Sequence, residues 1–172
     1  MKNNRQKIRS ITFLGFVTAV AILLSYVEVL IPPIFTAVPG IKIGLPNIAV
    51  IYMLYSKGVR EAAAVCIVRM AVVSMLFGNA MVFIYSAAGA ALSLSVMALL
   101  KRLNLLSPAA VSIAGGISHN LGQIAVAMLV LQTAQFGYYG IVLTVTGTVS
   151  GLFVGLAGIL MLKRLPTERF FK

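Results

Sequence analysis

The chain has 172 residues, 60% of them hydrophobic and only 10% charged, with a mean hydropathy of +1.04. A water-soluble domain carries roughly a quarter of its residues as charges, so this composition excludes one and points to an integral membrane protein. The net charge of +11 lies between apolar runs and at the termini, a pattern of membrane topology that argues against a nucleic-acid partner.

In chain order, Lys2, Arg5, Lys7 and Arg9 precede an apolar run from Ile11 to Ile31. A secretory signal peptide has a shorter apolar core and a small-residue cleavage site. This run has about 20 residues, enough to cross a ~30 Å hydrocarbon core, and it ends at Pro32-Pro33. It is expected to be a retained first helix over 11–31. The stretch Pro39 to Asn47 then gathers two prolines, two glycines, a lysine and an asparagine in an otherwise apolar neighbourhood. The second helix is expected over 43–56, with Pro46 in its first turn, where the missing N–H breaks no hydrogen bond. At ~1.5 Å per residue it reaches only ~21 Å, so it is short or partly re-entrant.

Lys57 to Glu61 makes a charged turn into a third helix over 62–77, which contains Arg69. Gly78-Asn79 turns the chain into a fourth helix over 80–100. Lys101-Arg102 and the segment to Pro108 lead to a fifth over 109–131, and the polar stretch from Gln132 to Gly140 leads to a sixth over 141–162. The fold expected is an all-α six-transmembrane-helix bundle, with residues 1–172 as one integral membrane domain. Six crossings put both termini on one side. That arrangement collects twelve of the fourteen Lys and Arg residues there, leaving Lys42 opposite and Arg69 within a helix. By the positive-inside rule both termini are cytoplasmic and the Pro39 to Asn47 stretch is at the outer face.

Arg69 is the most informative single residue. An arginine at the centre of a membrane helix costs about 2.5 to 3.5 kcal/mol on the insertion scale, so it needs a partner, a cavity or a ligand. Two readings stand side by side: contact with a ligand, and an internal ion pair with Glu28 at the outer end of helix 1, which would position the cation. Lys42 is either a solvated loop lysine or, between Gly40 and Gly44, part of a corner for an anionic group. The start of helix 2 at Asn47 would add N–H groups and a positive dipole end to that corner. His119, Asn120 and Gln123 fall on neighbouring rows of helix 5; they either bond helix to helix or line a cavity.

The absences narrow the chemistry. There is no Asp, and Glu28, Glu61 and Glu168 are the only acids, so chemistry that needs paired carboxylates is nearly excluded. His119 has no second His and only Cys66 to join it, so no metal site is expected, and no other cofactor is expected either. No Walker-type loop is present, so the chain itself does not hydrolyse ATP. Cys66 has no partner for a disulfide.

Glu28, Pro39-Gly40-x-Lys42-x-Gly44-Leu45-x-Asn47, Arg69 with Phe77-Gly78, Ser86-x-x-Gly89 and His119-Asn120-x-x-Gln123 together resemble the bacterial family named both Gx transporter and heptaprenyl diphosphate synthase component I. That family is similar in turn to the substrate-binding S-components of energy-coupling factor (ECF) transporters. The resemblance implies a multi-pass protein of the bacterial inner membrane that binds a small solute, with Lys42, Asn47, Arg69, His119, Asn120 and Gln123 as substrate-binding candidates. It also implies coupling and ATPase activities on separate subunits, one of them contacted through a small-residue motif at Gly15 and Ala19 of helix 1. The second family name implies a different role, as a non-catalytic membrane component of a heptaprenyl diphosphate synthase or of a quinone or electron-transfer system. Neither reading makes this chain an enzyme.

Overall fold

A computed structural model describes residues 2–31, 43–132 and 140–166, which form six α-helices with no strand among the described residues. These are α1 (Lys2–Leu30), α2 (Asn47–Ser56), α3 (Val59–Phe77), α4 (Ala80–Leu103), α5 (Pro108–Leu131) and α6 (Gly140–Arg164). The all-helical, six-helix expectation is met, and most boundaries fall within three residues of those read from the sequence. The exceptions are α1 and the start of α2. Helix α1 begins in the basic segment well before Ile11, because Lys, Arg and Gln are good helix formers. Hydropathy marks the part of the helix that lipid covers, not where the helix starts.

Helix α2 starts at Asn47 instead of residue 43. Pro46, with φ −66° and ψ −19°, already has helical dihedrals and forms the N-cap. The chain enters through a tight turn in which Asn47, Ile48 and Ala49 donate their N–H groups to the carbonyls of Gly44, Leu45 and Pro46 at 2.9, 3.2 and 3.2 Å. At ten residues α2 is ~15 Å long, half the thickness of a hydrocarbon core. It is apolar on every side, and Ala49 to Leu54 are all buried, as befits a helix enclosed by others.

Helices α1, α4, α5 and α6 are long and apolar enough to cross a membrane, which makes the protein a multi-pass membrane protein. Their outward faces carry large exposed hydrophobics such as Leu129, Ile141, Val149 and Leu160, the surface that lipid requires. Helix α3 is ~28 Å long and less apolar, since Arg60, Glu61 and Arg69 lie within it.

Helices α4, α5 and α6 form the tightest layer, with α1 against α3 and α2 wedged between α3 and α6. Glycines set the close spacing. A Cβ at Gly122 of α5 would lie 2.8 Å from the Ala88 carbonyl oxygen and 2.9 Å from Gly89 Cα in α4. A small-residue seam, Gly147, Gly151 and Gly155 of α6, faces α5, where a Cβ on Gly151 would stand 2.7 Å from Ile113 Cα. Such seams replace the hydrophobic drive that is missing between helices in lipid. Local signals bound the helices: Asn79 Oδ1 accepts from the Val82 N–H at 2.9 Å, and Ser107 caps α5 with Pro108 just inside it.

Interactions at one end of the bundle gather the basic residues. Lys101 of α4 donates to the Leu54 carbonyl at the end of α2, and its ammonium lies 5.2 Å from the centre of the Tyr55 ring. Tyr52 donates to the Leu165 carbonyl just past α6 at 2.8 Å. Lys57 sits 5.9 Å above Phe13 of α1. The first half of α1 and the last turns of α2, α4 and α6 therefore meet at a single end, which carries nearly all the positive charge of the described residues. The opposite end holds the close of α1 and the turn into α2, with Tyr26 and Phe77 rings 5.3 Å apart.

Candidate functional site

A cavity of about 90 Å³ opens in the half of the bundle away from the basic end, and every helix contributes to its wall. On α1, Ser25 and Glu28 stand three residues apart, on one face of the helix. Ser25 donates its hydroxyl to the Ala21 carbonyl at 2.8 Å, which fixes the side chain with its oxygen turned to α3. There it accepts from Arg69 Nη1 at 3.4 Å, a long bond. Arg69 Nε is buried and has no hydrogen-bond partner among the described residues. A buried cation with an unused donor is costly in a membrane bundle.

The expected ion pair between Glu28 and Arg69 does not form: no oxygen of Glu28 comes within 4.0 Å of the guanidinium. The Glu28 carboxylate instead accepts the Gly44 N–H. Gly44 has φ +81°, the left-handed region that a side chain would strain. That conformation turns its N–H toward α1, so Glu28 anchors the entry turn of α2. The N–H groups at the start of α2 are also not available to a ligand, contrary to expectation, because the same turn uses them internally. What this corner presents to the cavity is the Asn47 side chain.

Of the residues singled out from sequence, Glu28, Asn47, Arg69, His119, Asn120 and Gln123 all line this cavity. Asn120 is partly committed, donating from Nδ2 to the Leu143 carbonyl of α6 at 2.7 Å; its amide is thus helix-to-helix glue and cavity lining at once. Among the described residues, the side-chain amides of Asn47 and Gln123 make no hydrogen bond. Lys42 lies outside the described residues. Gly15 and Ala19 are remote, on an exposed face of α1 where no atom lies within 4 Å of a Cβ built at Gly15.

Sequence reasoning missed Ser25, Ser74 and Ser150, which also line the cavity. Ser25 was findable, since it shares a face of an apolar helix with Glu28. Ser150 had no distinguishing signal: serines inside membrane helices commonly bond their own backbone, as Ser150 does to the Gly147 carbonyl at 3.3 Å. A smaller cavity of about 30 Å³ shares Gly44, Asn47, Gly116 and Ser150 with the first and extends toward Met97 and Ser112, nearer the basic end. Beyond it the packed side chains of α2 close the bundle.

The arrangement suits non-covalent recognition of a polar molecule. It holds one guanidinium, one carboxylate, one imidazole, amides and hydroxyls. Among the described residues no three potential metal ligands come together.

No curated protein and no solved structure matches the chain. The family model described as heptaprenyl diphosphate synthase component I matches residues 17–161, from within α1 to within the last turn of α6, and the chain belongs to that family.

Proposed function

We propose that this chain is a non-catalytic, membrane-embedded component of a heptaprenyl diphosphate synthase system, and that its cavity binds a small polar molecule. The observation that carries the binding role is the convergence of Arg69, unpaired at Nε, with the uncommitted amides of Asn47 and Gln123 in one cavity. The family description supports the assignment to a synthase. The absence of aspartate from the 172 residues supports a supporting role, because holding magnesium diphosphate calls for clustered carboxylates. Size supports it further. One water needs ~10–15 Å³ of such volume, so about 90 Å³ accommodates a compact polar molecule or head group but not a chain of seven isoprene units. The gathering of Lys57, Lys101 and the end of α6 supports a cytoplasmic basic end in a bacterial inner membrane, with the cavity nearer the outer face.

A second reading, solute transport driven by separate ECF-type coupling and ATPase subunits, is favoured by two features. The cavity lies away from the basic end, and the Gly15 and Ala19 face of α1 is unfilled. Native mass spectrometry of the complex extracted under mild conditions separates the two. Co-isolation of a soluble prenyl synthase subunit is expected, and co-isolation of ATP-binding subunits in its place would overturn the synthase assignment.

A further inference from the structure

We infer that the ligand of the cavity is a compact zwitterion, carrying a carboxylate that meets Arg69 and an ammonium group that meets Glu28. The inference rests on the reading of the cavity as a ligand site and adds the chemical class of its occupant. Among the described residues the wall carries two formal charges of opposite sign, Arg69 on α3 and Glu28 on α1. Opposite charges sharing a low-dielectric space attract strongly, yet these two are held apart. Arg69 is tethered by Ser25, and Glu28 is tethered through one oxygen to the Gly44 N–H.

Each charge keeps unused capacity. The arginine has an unpartnered Nε and the planar fork that matches a carboxylate in bidentate fashion. A carboxylate has about four lone-pair sites, and Glu28 uses one of them among the described residues. An anion alone would satisfy Arg69 while leaving a second negative charge desolvated beside Glu28. A cation alone would leave Arg69 in the same position. A molecule with both charges compensates both and adds no net charge to the membrane interior. Asn47 and Gln123 supply further donors and acceptors around it, and the volume of about 90 Å³ keeps it small.

The test is isothermal titration calorimetry of the full chain in lipid nanodiscs with glycine, β-alanine, 4-aminobutyrate, propionate, propylamine and inorganic diphosphate. The best of the three zwitterions is expected to bind roughly tenfold to a hundredfold tighter than propionate or propylamine, the range of one charged hydrogen bond. Glu28→Gln, which keeps an oxygen for the Gly44 N–H, is expected to erase that advantage over propionate. Arg69→Lys, which keeps the charge, should retain a weakened preference and guards against misfolding as the cause of any loss. Propionate or diphosphate binding as tightly as the best zwitterion would overturn the inference. So would a zwitterion preference that survives Glu28→Gln. If no probe binds while the protein as isolated releases a bound small molecule of another class, the zwitterion is overturned and the cavity's binding role stands. If nothing binds and nothing is released, both fall.

Discussion

Replacing Gly89 by Ala tests whether the spacing of α4 and α5 holds the cavity together. A Cβ at this position would lie 2.8 Å from the His119 carbonyl oxygen, 3.0 Å from Gln123 Cγ and 3.1 Å from His119 Cδ2. The first neighbour is backbone and cannot rotate away, so the helices must part by several tenths of an ångström. Overpacking of this kind costs ~1–3 kcal/mol, and the gain in helix propensity on replacing glycine by alanine returns ~1 kcal/mol. The net destabilisation is ~0–2 kcal/mol, a fall in Tm of up to roughly 8 °C for a chain of this length. All three neighbours belong to His119 and Gln123, so the shift should also loosen the α5 side of the cavity. Gly15→Ala is the matched control: it carries the same propensity gain with no atom within 4 Å, and its Tm should hold or rise. Cys66, the only cysteine and buried, provides the assay, since a thiol-reactive fluorophore labels it as the bundle opens on heating. Equal melting of Gly89→Ala and Gly15→Ala would refute the inferred helix spacing.

Gly44→Ala meets no close contact, its Cβ lying 3.4 Å from Asn47 Nδ2, but it forces alanine to φ +81°. A loss of ~1–2 kcal/mol follows from that strain, and the same thermal assay reads it. Lys101→Met removes the ammonium that bonds the Leu54 carbonyl and faces the Tyr55 ring. A loss of about 1.5–3 kcal/mol, with faster hydrogen exchange at the last turn of α2, is the expected result. Ser25→Ala removes the one hydrogen bond that Arg69 makes among the described residues; it should weaken ligand binding several-fold while costing less than about 1 kcal/mol of stability.

The helices were legible because lipid imposes a simple rule, that a run of apolar residues of sufficient length forms a helix, and Pro, Gly-Asn and Lys-Arg pairs punctuate the runs. The starts of α1 and α2 were less so. Basic residues before Ile11 extend α1 beyond the apolar run that marks it in the sequence, and the tight turn at Gly44 to Asn47 depends on a glycine dihedral that composition does not encode. The gathering of Arg69, His119, Asn120 and Gln123 was legible because polar side chains in apolar helices must turn toward one another or toward a cavity. Their pairing was not. Glu28 and Arg69 are the obvious ion pair by charge, yet Gly44 claims the carboxylate and Ser25 the arginine, choices set by helix rotation and not by residue type. The serines of α3 and α6 went unnoticed because a self-bonded serine and a cavity-lining serine read alike.

The central claim is that Arg69 holds a small polar molecule in the cavity. Protein purified gently in lipid can be denatured and its released solutes identified by mass spectrometry, alongside Arg69→Ala prepared in parallel. One small polar species near equimolar amount is expected from the native chain and none from the variant, with Cys66 protected equally in both before denaturation. Release of the same species in the same amount from Arg69→Ala, or of nothing from the native chain, would contradict the account.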